Sequence, residues 1–214
     1  MKIKMLNFYI LFFYFLLADY KSKWYNINQM TLDRHNQKHD LSRTKTPEAT
    51  IEKSQGEFIF VVQKHAASHL HYDFRLEMEG VLKSWSIPKG PSMNPSIKRL
   101  AIRVEDHPFS YKDFEGTIKE GNYGAGKVIV WDSGTYYLSE ESFEGSPEHK
   151  LKKGLRQGHF SFILQGKKLK GEFSLVKLKG KQENAWLLIK KKDVYASNAD
   201  ILNKNNSVIS NETL

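Results

Sequence analysis

The 214 residues contain no cysteine. That excludes a disulfide framework and any thiolate metal site, and it suits a reducing cytosol. A membrane span is missing as well. The apolar run from Phe8 to Ala18 in "MKIKMLNFYILFFYFLLADY" is too short to cross a bilayer and matches a signal-peptide core in length. No small-x-small cleavage site follows it, and a translation start at Met30 accounts for residues 1–29 equally well. Acidic excess is also absent: 33 Lys and Arg against 24 Asp and Glu give a net charge of +9. That balance points to an anionic partner, nucleic acid before a membrane surface. With 40% hydrophobic and 13% aromatic residues, the chain can bury one sizeable core.

No strong helical period runs through the central region. Residues 30–57 read as a polar arm, and from Phe58 to Lys192 the texture is that of short strands. "EFIFVVQKH" is one, "LHYDFRLEMEGVLKSWSIP" is two around a Glu79–Gly80 turn, and "RLAIRVEDH" and "KVIVWDSGTYYL" follow. After the acidic loop "SEESFEGSPEHK" come "GHFSFILQG", "GEFSLVKLKG" and "NAWLLIKKK". Strands at this spacing predict an antiparallel sandwich or barrel. Residues 193–214, rich in Asn and Ser, read as a loosely ordered, flexible tail.

The densest chemistry lies in "HAASHLHYDFR", residues 65–75. Strand alternation puts Tyr72, Phe74, Leu76 and Met78 on a core face and His71, Asp73, Arg75 and Glu77 on the other. The same alternation in "RLAIRVEDH" predicts Leu100, Ile102 and Val104 on one face, with Arg99, Arg103, Glu105 and His107 opposite. Two imidazoles and a carboxylate, from His65, His71 and Asp73, make a three-ligand set for a divalent transition ion such as zinc, manganese or iron. His69 reads as surface. Histidines on a strand face can equally be solvated or hydrogen-bonded surface groups.

Two nearby patterns lead elsewhere. "GNYGAGKV" almost spells a phosphate loop, but Val128 stands where the magnesium-binding hydroxyl belongs and a strand follows instead of a helix, so it reads as a β-turn loop. "HYD" with His107 downstream resembles the HxD…H ligands of non-haem iron oxygenases. No arginine lies between Arg103 and Arg156 to hold their co-substrate.

The stretches "FVVQKHAASHLHYDFRLEMEGVLKSWSIPKGPS", "KRLAIRVEDHPFSY" and "FEGTIKEGNYGAGKVIVWD" together closely resemble the 3'-phosphoesterase domain of bacterial DNA ligase D, over roughly Phe58 to Lys192. The resemblance implies a compact antiparallel β-barrel with few short helices. It implies a manganese-dependent hydrolase that removes a 3'-terminal ribonucleoside and then the 3'-phosphate from DNA ends during non-homologous end joining. The family's metal ligands fall on His65, His71 and Asp73, and its phosphate-contacting and catalytic positions on Arg75, His107 and Tyr111. Lys89, Arg99 and Glu105 match further active-site positions. An N-terminal Arg–Asp pair, used in nucleoside removal, is matched by His39–Asp40, with Glu48 matching a nearby glutamate. The substitution of that arginine by His39 bears on nucleoside removal more than on the phosphatase step.

No KxDG-type nucleotidyl lysine motif occurs in the chain. A stand-alone end-healing enzyme is therefore expected, acting on DNA or RNA-terminated DNA 3' ends. It would hand its product to a separate ligase or polymerase, with the end-binding protein Ku nearby. Two alternatives stand beside this reading: a non-catalytic, basic nucleic-acid-binding barrel, and the iron oxygenase.

Overall fold

The computed structural model describes residues 57–214 except 123, 140–145 and 181. The arm residues His39, Asp40 and Glu48 and the apolar N-terminal segment lie outside the described residues. Among the described residues there are ten strands: β1 (Phe58–Ala66), β2 (Leu70–Met78), β3 (Val81–Ile87), β4 (Lys98–Arg103), β5 (His107–Pro108), β6 (Gly116–Ile118), β7 (Gly126–Leu138), β8 (His159–Gly166), β9 (Lys170–Lys177) and β10 (Ala185–Lys190). Eight of them form a closed ring in the order β1-β2-β3-β4-β10-β9-β8-β7, because β7 pairs back onto β1. All neighbours are antiparallel, and β5 and β6 extend the wall from β3 and β7. The fold is thus the expected antiparallel β-barrel. Closure removes the free edges that an open sheet would expose.

Alternation builds the inside of the barrel as the sequence predicts. Tyr72, Phe74, Leu76 and Met78 of β2 join Phe60, Val62, Trp85, Phe162 and Trp186 in the main core. Phe74 lies between Trp85 and Phe162, with ring centroids 6.5 and 5.8 Å away. The β2–β3 connection is the expected tight turn, with Glu79 and Gly80 both left-handed at φ 57° and 79°. A second, smaller cluster lies outside the ring. Val61, Leu82, Val128 and Val130 of the wall meet Phe109, Tyr111, Phe114 and Ile118, so residues 107–118 pack onto the outer face of β1, β3 and β7.

Three features depart from the sequence reading. In β4 it is Ala101 that is fully buried, while Leu100 is 43% exposed. The register explains this: Arg103 lies opposite Trp85, and Ala101 and Arg99 opposite Trp186 and Leu188. Arg99 and Arg103 therefore share the core-side face, and the alternation ends at Arg103, before Glu105 and His107. Second, a helix, α1 (Pro147–Gln157), begins inside the stretch expected to be an acidic loop and takes up Pro147 to Lys150 of it. Ser146 caps it by accepting from His149 N–H, Pro147 occupies its first turn, and Gly158 ends it at φ 77°. Its apolar contact is thin, since only Leu151 and Gly154 are buried, which is why periodicity does not reveal it.

Third, residues 193–214 lie along the barrel as a strap. Ile201 and Leu202 pack on the main core, Trp131 Nε1 donates to the Lys204 carbonyl at 2.6 Å, and Val208 N–H donates to Val130 O at 2.9 Å. Ser207, buried, donates its hydroxyl proton to Glu115. Asn and Ser here cap turns against the wall. Deleting residues 200–214 is expected to lower unfolding stability by about 2–4 kcal/mol, from lost apolar contact and the three hydrogen bonds named above. Denaturant titration of the truncated chain measures it. An unchanged midpoint would contradict the strap.

Among the described residues, no helix is long and apolar enough to cross a membrane.

Candidate active site

Gln63 and His65 of β1 and His71, Asp73 and Arg75 of β2 lie on the face opposite the main core, toward the cleft between the barrel wall and the segment that follows β4. Cross-strand register assembles them: His65 lies opposite His71, Gln63 opposite Asp73, and Arg75 opposite Ser84 of β3. A cavity of about 250 Å³ opens over this patch, and His65, His71, Asp73, Arg75, Glu105, His107 and Tyr111 are among the residues that line it. Sequence-predicted residues from three separate segments thus meet. Lys89, exposed in the turn after β3, and Arg99, on the core-side face of β4, are not part of that lining.

The metal-ligand candidates converge. One atom each from His65, His71 and Asp73 lies within 4.8 Å of the others. His65 Nδ1 is 3.7 Å from Asp73 Oδ2, and His71 Nε2 is 3.6 Å from Asp73 Oδ1. His71 Nδ1 donates to the His69 carbonyl at 2.9 Å, which leaves the Nε2 lone pair directed at the cluster. His65 Nε2 lies 2.9 Å from the Gly124 carbonyl, which leaves Nδ1 on the cluster side. Two neutral imidazole nitrogens and a carboxylate oxygen around one point suit a divalent transition ion. The outer hydrogen bond on each ring is the arrangement such ligands use. His107 is not part of this group. The oxygenase pattern needed it as the third ligand.

Burial pushes the Asp73 carboxyl upward. The Arg75 guanidinium, with the nearby His65, His71 and His107 imidazoles, outweighs that and holds it well below the usual carboxylate range. Asp73 is therefore an anion at neutral pH. Arg75 is buried and braced on three sides: Nε donates to Gln63 Oε1 at 2.8 Å, Nη1 to Ser84 Oγ at 2.8 Å, and Nη2 to Asp73 Oδ2 at 3.1 Å. Three of its five N–H groups are engaged, so two remain for the cavity. Gln63 is itself fixed by donating to the carbonyls of Tyr111 and Phe114. Burial also pushes the Tyr111 hydroxyl up to about 12, despite Arg75 beneath its ring at 5.4 Å, so it keeps its proton. His107 Nδ1–H donates to the Glu105 carbonyl at 3.0 Å.

Sequence reading missed Gln63, Ser84 and Gly124. Gln63 was within reach, since Val61, Gln63 and His65 alternate on one face. Ser84 and Gly124 enter through register and loop closure, which no local pattern encodes.

Comparison with known proteins bears directly on this geometry. The family model for the DNA Ligase D 3'-phosphoesterase domain matches residues 63–177. The chain belongs to the DNA ligase D 3'-phosphoesterase domain family. All of the residues lining the cavity fall inside the matched span. This phosphoesterase-domain chain is 45% identical over 191 residues to the multifunctional non-homologous end joining protein LigD of Pseudomonas aeruginosa, covering 86% of this chain and 22% of that protein. It is 42% identical over 163 residues to the multifunctional non-homologous end joining DNA repair protein LigD of Mycobacterium tuberculosis, covering 76% and 20%. The chain thus spans about a fifth of the length of these relatives. Membership of the family is membership of a phosphoesterase family, hydrolases by reaction class.

Proposed function

We propose that the chain is a divalent-metal-dependent 3'-end-healing phosphoesterase. It removes a 3'-terminal ribonucleoside, and then the 3'-phosphate, from DNA primer ends in non-homologous end joining. One observation carries the reading: His65, His71 and Asp73 converge within 4.8 Å in a cavity that Arg75, His107 and Tyr111 also line. A non-catalytic nucleic-acid-binding barrel gives no reason for that convergence. Manganese is the proposed ion, and the same donors suit zinc.

When bound, such an ion supplies Lewis-acid polarisation of a phosphate oxygen and a more acidic bound water. The chain's own groups do the rest. Arg75, already braced, presents its two remaining N–H groups to phosphate oxygens without having to reorganise. Tyr111 adds a hydroxyl donor that stays protonated. His107, held through Nδ1, donates from Nε2 to the leaving oxygen when protonated. Glu105 sits at the rim. Lys89, exposed outside the cavity lining, is assigned to the backbone of the nucleic acid, while Arg99, on the core-side face of β4, contributes its positive charge at longer range. Asp40 is assigned to nucleoside removal. A cytoplasmic repair role is proposed, with a DNA ligase or polymerase as the partner that takes over the healed end and Ku as an end-binding protein nearby.

Purified chain incubated with labelled primer-templates ending in a 3'-phosphate or a 3'-monoribonucleotide tests this. Phosphate release that depends on added manganese and stops with chelator is expected. DNA binding without release under manganese, zinc or magnesium would favour the non-catalytic barrel.

A further inference from the structure

The stretch GNYGAGKV fails as a phosphate loop, yet its backbone reaches the site. Two of the cavity histidines take their ring orientation locally: His71 and His107 each donate Nδ1–H to the carbonyl two residues earlier. His65 takes its partner from 59 positions away, the Gly124 carbonyl at 2.9 Å. A carbonyl can only accept, so Nε2 carries the hydrogen and Nδ1 is left for the cluster.

We propose that the Gly124 carbonyl is the positioning group that decides which nitrogen of His65 is offered to the metal, and that the glycine-rich turn exists to deliver it. This rests on the metal assignment above and adds a role for a loop that no side-chain chemistry explains. The loop is anchored beside its target. At Gly126, with φ 144°, an added Cβ would meet the Ala66 carbonyl oxygen at 2.2 Å, so β6–β7 can press against β1 only with glycine there. One step on, Lys127 pairs with Ala66 and Val128 with His65. Within the turn, Asn122 N–H donates to Lys119 O at 3.3 Å and Ala125 N–H to Asn122 O at 3.2 Å. Gly124 itself is left-handed at φ 75°, and a Cβ there would stand 3.6 Å from His65 Cε1. The space would admit alanine. The backbone angle is what disfavours it, because an L residue pulled toward negative φ rotates the carbonyl away from the ring.

Nitrogen NMR of the full metal-free chain, at alkaline pH where the imidazoles are neutral, reads the tautomer directly. His65 is assigned by the signals lost in His65→Ala. The expected result is a protonated Nε2 and a bare Nδ1, and the reverse tautomer would overturn the proposal even in an active enzyme. Gly124→Ala is expected to mix the two tautomers and weaken Mn²⁺ binding by about 10- to 100-fold, the usual cost of losing an outer-shell partner. Gly124→Asn, a residue that tolerates left-handed backbone, is expected to recover most of that affinity. A Gly124→Ala protein with unchanged affinity and one tautomer would contradict the proposal. If that variant does not fold, the tautomer of the unmodified chain decides alone. Failure of the unmodified chain to bind Mn²⁺ would instead strike the metal assignment, which the metal-free tautomer does not depend on.

Discussion

Asp73→Ala is expected to release no measurable phosphate from a 3'-phosphate primer-template with manganese present, and to bind the ion at least about a hundredfold more weakly. Loss of an outer-shell partner alone costs up to that much, and a direct ligand costs more. The carboxylate is also the only anion in the three-residue group, so its removal leaves two neutral nitrogens beside a buried guanidinium. The same change unpairs Arg75 Nη2, which Asp73 accepts from at 3.1 Å, so some stability is lost as well. Asp73→Asn separates the two effects. It can keep an acceptor for Arg75 but not the charge, and it is expected to fold normally while remaining inactive. His71→Ala should behave like Asp73→Ala, without disturbing Arg75. Near-normal turnover in either alanine variant would refute the metal assignment.

His107→Ala is expected to leave folding and metal affinity intact while kcat on a 3'-phosphate falls by about 10²- to 10⁴-fold, the range for losing a proton-transfer group. The fold tolerates the change because the ring is only half-buried and its Nδ1–H bond is to its own Glu105 carbonyl. Its packing partner Tyr111, with ring centroids 5.3 Å apart, keeps its contacts with Phe114 and Arg75. The decisive comparison is kcat against manganese affinity in one preparation. If affinity falls together with kcat, His107 is a ligand, and the grouping of His65, His71 and Asp73 is incomplete.

Much of this site is legible from local pattern. The alternation in HYDFRLEM places Asp73 and Arg75 opposite the core residues Tyr72, Phe74 and Leu76, and the structure divides the two sets between the cavity lining and the main core. The Glu79–Gly80 turn then fixes the β2–β3 register that sets Ser84 opposite Arg75. Pattern fails where tertiary constraint takes over. RLAIRVEDH alternates as cleanly as HYDFRLEM, yet its register against β3 and β10 buries Ala101 and exposes Leu100, because a small side chain is what fits among Trp85, Trp186 and Leu188. Glu105 and His107 reach the cavity because the strand stops at Arg103, and the alternation does not carry them there. The tail misleads for a related reason: Asn and Ser are read as solvent-facing, but Ser207 is buried against Glu115. Gly124 is invisible to local pattern, since a backbone carbonyl has no signature in the residue letters.

Anomalous diffraction at the manganese edge from crystals soaked in Mn²⁺ addresses the central claim most directly. A single strong peak bounded by His65 Nδ1, His71 Nε2 and the Asp73 carboxylate is predicted, with His107 outside the coordination sphere. No peak among those three side chains, or one held by other groups, would contradict the account.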